Sequence, residues 1–382
     1  MKLDRKPLLK AVDSSVGPLL CSLLGAAASS ARHGSPPDPI LPDKVRRMLI
    51  IRPGGIGDMI VLLPVLQQVR SLLPRVEMDL VCETRNMAVL RLAGLDSCAM
   101  PYDARPFRFL SRLRRCRYDI VIDTEQFHHF SAVFGAMSGA PVRIGFKINP
   151  RRNPLYSHLV DYSVSGPEGR QFARLFEPLG VDPAACALEG CLANGDTDRL
   201  LRARGVPRAL PPDGRFVAVH PGASTRYKEW VPDRFAGVAM ALSRECDLTP
   251  VLIGGRRDRG NCTHIADSIE RSGGRAAAVV VPDDLIGAAS VLTKARLFIG
   301  VDSGLAHLAV ALGRPTVVLF GPSDHRKWGT ESRAHAVVRE AVPCAPCFIF
   351  GYHKPCRTIA CMRGIRGESV LEACRRVLRG SA

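Results

Sequence analysis

The chain has 382 residues, longer than one ordinary domain and long enough for two or three. Its net charge of +17 asks for an anionic partner. No RNP, zinc-finger or helix-turn-helix signature is present, so nucleic acid gives way to phosphorylated ligands, lipid headgroups or an anionic glycan. Thirteen scattered cysteines read as reduced cytoplasmic thiols, and the sequence lacks the run of about 18 apolar residues that a transmembrane helix needs.

Met1 to Lys10 is basic, and residues 14–31 carry no charge, ending in a run of Ala and Ser. That outline suits a secretory signal, but Gly17, Pro18 and several serines dilute its apolar region. Leu8, Val12, Val16, Leu20 and Leu23 recur at roughly helical spacing, which suits an interfacial amphipathic helix. Cys21 follows Leu19-Leu20 and so lacks the small residue expected before a lipidated cysteine. The Pro-rich stretch His33 to Pro42 closes this extension, giving residues 1–44 as extension and linker.

Residues 47–51 (RMLII) read as a buried strand, followed by Gly54-Gly55-Ile56-Gly57-Asp58 and a helix over 59–73. Further strands are expected at 78–82, 118–123 and 142–146. After a polar stretch, 193–215, taken as the interdomain connection, the pattern restarts with strands at 216–220, 250–254, 277–281, 297–299 and 317–320. A helix over 368–379 ends the chain. This alternation predicts two α/β, doubly wound, Rossmann-like domains, at residues 45–195 and 210–382.

Residues 297–322 are the most informative stretch. An apolar strand breaks at Gly300, Asp302-Ser303-Gly304 opens a short helix carrying His307, and Gly313-Arg314-Pro315 ends it before the next strand. Ser303 is placed as an N-cap, and the free N–H groups of such a helix start suit a phosphate. The loop 220–230 (HPGASTRYKEW) also follows a strand, so Ser224, Thr225 and Lys228 can meet phosphate oxygens; the plainer alternative is a solvated turn with a packed Trp230. Asp258 follows a third strand end. Asp58 reads either as a helix cap or as a carboxylate facing a ligand.

Arg105, Arg108, Arg112, Arg114, Arg115 and Arg117, with Arg143, Lys147, Arg151 and Arg152, make the first half basic and suggest a separate anionic ligand there. Cys344, Cys347, Cys356 and Cys361 leave two readings, plain thiols or a metal or redox site, with His353 a substitute ligand. Asp196-Thr197-Asp198 resembles a metal-binding acidic pair but falls in the expected linker.

From Arg47 onward the chain resembles bacterial ADP-heptose:lipopolysaccharide heptosyltransferases, glycosyltransferase family 9. The carriers are Arg52-Pro53-Gly54-Gly55-Ile56-Gly57-Asp58, His220-Pro221-Gly222 with Lys228-Glu229-Trp230, and residues 300–307 (GVDSGLAH). Gly313-Arg314-Pro315 through Phe320-Gly321-Pro322 and Cys344-Ala345-Pro346-Cys347 complete the set. The resemblance implies a GT-B fold, two Rossmann-like domains facing across a cleft, with the acceptor on the first and the nucleotide sugar on the second. It implies an inverting, metal-independent transfer of heptose from ADP-heptose, with no cofactor, to an anionic glycolipid acceptor, in the cytoplasm or peripherally at the inner membrane. Asp58 matches the proposed base and Lys228 a lysine near the donor phosphates. Ser224, Thr225, Asp258, Asp302, Ser303, Gly304 and His307 are then expected at the donor. Gly54, Gly55, Gly57, Arg143 and Lys147 are expected at the acceptor. A different nucleotide sugar or glycan, a sugar-nucleotide epimerase, and a non-catalytic sugar-nucleotide-binding or metal/redox protein are the competing readings.

Overall fold

The computed structural model describes residues 6–31, 40–205, 207, 210, 211, 214–275, 277–349, 352, 353 and 356–380. The chain divides into two compact units, Met1–Arg91 with Leu95–Cys186, and Leu92–Gly94 with Ala187–Ala382.

Unit 1 begins with helix α1 (Lys6–Ala31). Its sheet holds six parallel strands: β1 (Arg47–Ile51), β2 (Glu77–Cys82), β3 (Ala99–Pro101), β4 (Ile120–Asp123), β5 (Val142–Lys147) and β6 (His158–Asp161). The spatial order is β3-β2-β1-β4-β5-β6. Helices α2 (Ile56–Leu72), α3 (Met87–Leu92), α4 (Pro106–Arg115), α5 (His129–Met137) and α6 (Glu168–Arg174) complete the alternation. The central strands are covered on both faces, which is why they read as continuous apolar runs. Phe109 and Leu113 of α4 and Phe134 of α5 pack on Leu49, Ile51 and Val121 of the sheet.

The N-terminal helix belongs to this unit. Cys21 is buried against Ala132, Val133, Leu155 and Tyr156. Asp13 accepts hydrogen bonds from the backbone N–H of His129 at 3.1 Å and Phe130 at 2.8 Å, so one helix caps the start of another. The exposed apolar stripe of α1 runs through Val12, Val16, Leu19 and Leu23. Leu20, expected in that stripe, packs against the core instead, because Asp13, Gly17 and Cys21 set the buried face. The Leu8 side chain lies outside the described residues.

Unit 2 repeats the plan with β7 (Phe216–His220), β8 (Thr249–Ile253), β9 (Ala278–Val280), β10 (Leu297–Val301), β11 (Thr316–Phe320) and β12 (His335–Arg339), all parallel. Its order, β12-β11-β10-β7-β8-β9, is that of unit 1 read from the other edge. The helices are α7 (Gly195–Arg204), α8 (Pro232–Cys246), α9 (Arg259–Arg271), α10 (Leu285–Leu292), α11 (Gly304–Ala311), α12 (His325–Trp328), α13 (Ala360–Arg363) and α14 (Gly367–Gly380). The last packs on α8, β11 and β12.

Two local expectations are corrected. The stretch 193–215 is not simply a connection: Asn194 caps α7 by accepting from Thr197 N at 3.0 Å, and the buried Thr197 hydroxyl donates to Leu92 O at 2.8 Å. Gly300 does not break its strand but pairs within β10, where a Cβ would press on the Phe298 ring and the His220 carbonyl. The close approach, not a turn, requires glycine.

Candidate active site

In both units the strand order reverses at one place, between β1 and β4 and between β7 and β10. The loops leaving those strands diverge, opening the crevice where doubly wound sheets take ligands. The candidate residues gather at these two points.

In unit 1, the loop after β1 delivers Asp58 in the first turn of α2. Its Oδ2 accepts from Gly55 N at 3.1 Å, while Oδ1 lies 3.0 Å from the Arg52 guanidinium. The side chain keeps 28% of its surface exposed against 3% for Arg52, so Asp58 is both a cap and an accessible carboxylate. Arg52 is fixed by the loop after β4. It donates to Thr124 O at 2.7 Å and Gln126 Oε1 at 3.2 Å, lies 3.6 Å from Glu125, and sits 5.1 Å from the centre of the Phe172 ring. Burial would raise the Glu125 carboxyl, but Arg52 and His128 hold it below its ordinary value. A Cβ at Gly54 would strike the Arg52 guanidinium and one at Gly55 the Asp58 carboxylate, so these glycines make room for the pair. Asn86 pins the loop by donating to Gly54 O at 3.1 Å.

A fully buried brace lies behind it. Arg152 donates to Asp123 Oδ2 at 2.8 Å, and the Tyr156 hydroxyl donates to the same oxygen at 2.6 Å. Burial pushes the Asp123 carboxyl up, with Arg152 opposing it. Glu168, also buried, accepts from Gln126 and from Tyr162 at 2.8 Å.

In unit 2, Lys228 and Asp302 join the loops after β7 and β10 across the reversal point, Nζ to Oδ2 at 2.6 Å. Both side chains are buried, and the Lys228 ammonium also stands 4.4 Å over the Phe348 ring. His307 Nε2 lies 3.9 Å from Asp302 Oδ1. Burial would raise the Asp302 carboxyl, but Lys228 and His307, with hydrogen bonds from Lys228 and Ser323, hold it below its ordinary value. Ser303 caps α11, its Oγ accepting from Ala306 N at 3.4 Å, so Gly304 opens the helix with free N–H groups beside the ion pair. Thr225 caps the short turn Arg226–Lys228, accepting from Tyr227 N, and Ser224 precedes it.

Not every candidate is brought together. Arg143 lies toward the amino end of β5, its guanidinium bonded to the carbonyls of Leu155, at 2.7 Å, and Ala140. It braces the strand away from the carboxyl ends where Asp58 stands. Lys147 does reach the carboxyl end of β5, exposed and 4.0 Å from Asp161. Asp258 turns inward: Oδ2 accepts from Gly255 N at 2.8 Å, and its carboxylate fills the space a Cβ at Gly222 would take. It closes its own loop. Trp230 packs in the core and donates to Ile365 O at 3.1 Å, in accord with the plainer reading. Arg152, counted with the exposed cations, is wholly buried. Of the residues overlooked in sequence, Asp123 and Glu125 carry a signal, acidic residues where an apolar strand ends. Glu168, in an ordinary polar helix start, carries none.

None of the thirteen cysteines is joined in a disulfide. Among the described residues no group of three or more His, Cys, Asp or Glu side chains is placed to hold a metal ion; the His353 side chain lies outside them. Asp196 and Asp198 fall in the first turn of α7, where acidic residues favour the helix dipole, and Asp196 lies 3.5 Å from Arg199.

Known proteins are similar to this chain in sequence and in fold. Lipopolysaccharide heptosyltransferase 1 of Pseudomonas aeruginosa is 26% identical over 315 residues, 79% of this chain and 86% of its own length. The structure of E. coli ADP-heptose lps heptosyltransferase II superposes with a TM-score of 0.65 at 19% identity, covering 88% of this chain and 99% of that one. E. coli heptosyltransferase WaaC with ADP-2-deoxy-2-fluoro heptose gives 0.62 at 17% identity, covering 88% and 100%. These likenesses show the fold, GT-B, built of two Rossmann-like units. The family model of glycosyltransferase family 9 (heptosyltransferase) matches residues 107–356, more than half of the chain. A match over that span means that the chain belongs to glycosyltransferase family 9 and is a glycosyltransferase.

Proposed function

We propose that the protein transfers a heptose from ADP-heptose to a hydroxyl of a lipopolysaccharide core acceptor, with inversion and without a metal. One observation carries this reading. Unit 1 bears an accessible carboxylate at its reversal point, and unit 2 bears a cation beside a helix start at the equivalent point. A base for the nucleophile and a cradle for a departing diphosphate are the two things such a transfer needs.

In the reaction we envisage, Asp58 accepts the proton of the acceptor hydroxyl as its oxygen forms a bond to the anomeric carbon. The bond from that carbon to the diphosphate breaks on the opposite face, and its electrons leave with ADP. Lys228 has three N–H donors and gives one to Asp302, so others remain for diphosphate oxygens. Ser224, Thr225 and the N–H groups at Ser303 and Gly304 add further donors, and His307 borders them. A diphosphate is already a good leaving group, so these donors replace metal and general acid alike. Gly54, Gly55, Gly57 and Lys147 line the acceptor side.

The exposed cations of unit 1 suit an anionic glycolipid and support a peripheral site of action at the cytoplasmic face of the inner membrane. Among the described residues no helix is long and apolar enough to cross a membrane. The E. coli WaaC structure holds an ADP-heptose analogue, which supports the choice of donor.

The test is a donor panel of ADP-, UDP- and GDP-sugars with a core oligosaccharide acceptor, run with and without a chelator, the product's anomeric configuration read by NMR. Turnover with ADP-heptose, unaffected by chelation and with inversion, is expected. Turnover with another nucleotide sugar alone would sink the heptosyl reading.

A further inference from the structure

We infer that unit 1 docks on an anionic lipid surface through the outer faces of α1 and α4; this rests on the reading that the acceptor is a glycolipid. The two faces of α1 are opposite in character. Asp13, Gly17, Cys21 and Gly25, four residues apart, turn inward. A Cβ at Gly17 would collide with the His129 side chain and one at Gly25 would press on Pro154, so small residues let the helix sit close. The outward face carries Val12, Val16, Leu19 and Leu23, spaced four, three and four apart and all exposed, the two leucines by 60% and 61%. A helix on a protein surface ordinarily turns polar side chains outward. This one turns four large aliphatic residues outward, and such a stripe marks an interaction surface.

Charge decides what covers it. Asp13 is the one acidic residue between positions 6 and 31, and it is committed to the start of α5. The sequence before it supplies Lys2, Arg5, Lys6 and Lys10 against the single acid Asp4. Helix α4, which packs on the same α5, has no acidic residue and exposes Phe107, by 87%, beside Arg108, Arg114 and Arg115. Aliphatic and aromatic groups among cations complement acidic phospholipids: the apolar side chains enter the acyl boundary and the guanidinium groups meet phosphates. A second copy of the chain would set the same cations against one another.

The test is co-sedimentation of the full chain with vesicles of phosphatidylethanolamine and phosphatidylglycerol, against phosphatidylcholine alone, at low and high salt. Salt-sensitive binding to the anionic vesicles is expected. It should weaken about tenfold or more in Leu19→Asp/Leu23→Asp and in Arg108→Glu/Arg114→Glu. Transfer to a delipidated, water-soluble acceptor should be unchanged in the leucine variant. The proposal is overturned if the wild type ignores anionic vesicles, if both double variants bind as it does, or if the leucine variant loses soluble-acceptor transfer. It is equally overturned if light scattering shows that variant turning a dimer into a monomer. Vesicle binding that persists in a protein unable to transfer heptose would uphold the docking surface and sink the proposed reaction instead.

Discussion

Lys228 Nζ lies 2.6 Å from Asp302 Oδ2, and this buried bond ties together the loops after β7 and β10, the two strands between which the sheet order of unit 2 reverses. The cation is therefore a structural tie as well as a candidate donor to phosphate. Lys228→Met should lower unfolding free energy by about 3 kcal/mol, because it leaves the buried Asp302 without its nearest cation. Adding Asp302→Asn should recover much of that stability without recovering transfer, so a double-mutant cycle by denaturant unfolding and initial rates separates the two roles. A single Lys228→Met variant as stable as wild type would refute the tie.

Asp58 offers a similar separation, since one oxygen caps α2 and the other pairs with Arg52. Asp58→Asn keeps an acceptor for Gly55 N but no longer takes a proton at neutral pH. It should keep the cap and weaken only the pair with Arg52, at a cost of about 1 kcal/mol or less, while the transfer rate falls roughly 10²–10⁴-fold. Asp58→Ala should lose the rate to the same extent and the cap besides, about 1 kcal/mol. Full turnover in the Asn variant would remove Asp58 from the chemistry.

Arg52 holds the same carboxylate from behind, with Glu125, Thr124 and Gln126 fixing the guanidinium. Arg52→Met should slow transfer about 10–100-fold through misplacement of Asp58. ADP affinity, proposed to be set in the other unit, should stay within twofold of wild type, roughly 0.4 kcal/mol. Arg52→Lys should recover only part of the rate, because a point charge cannot copy the planar fork. Titration calorimetry with ADP alongside kinetics checks both halves; a large fall in ADP affinity would contradict the assignment.

The fold was legible because buried parallel strands are written as unbroken apolar runs. RMLII and FVAVH are strands to the residue, and the helix after each begins at a glycine-bearing loop. Strands β3, β6 and β12 escaped notice because they are edge or near-edge segments, short (Ala99–Pro101) or mixed with polar residues (His158–Asp161, His335–Arg339). The site was legible where local chemistry decides: Ser303 as a cap, Asp58 at a helix start, Lys228 after a strand. It was not legible where partners lie far apart in sequence. The pairing of Lys228 with Asp302, 74 positions on, of Asp123 with Arg152, 29 positions on, and the inward turn of Asp258 depend on sheet order, which periodicity does not encode.

His220 gives a pH prediction with a definite sign. Its imidazole is buried, with Nδ1 2.8 Å from Ile253 O, and burial pushes its pKa below the usual value of 6.5, with the Ile253 carbonyl and Asp258 opposing. The unfolded chain therefore takes up a proton as pH falls through about 6.5, while the folded chain resists it. The stability tied to a neutral His220 is fully present above that pH and is lost progressively below it, down to the folded value. One such group contributes a slope of at most about 1.4 kcal/mol per pH unit. His220→Asn, whose amide can still donate to Ile253 O, should flatten the fall in unfolding free energy between pH 7 and 5. A residual slope will persist, because burial also lowers His129 and His335. Denaturant titrations at closely spaced pH values check this; an unaltered slope in the variant would mean that His220 is protonated inside the folded protein, and that burial does not hold it neutral.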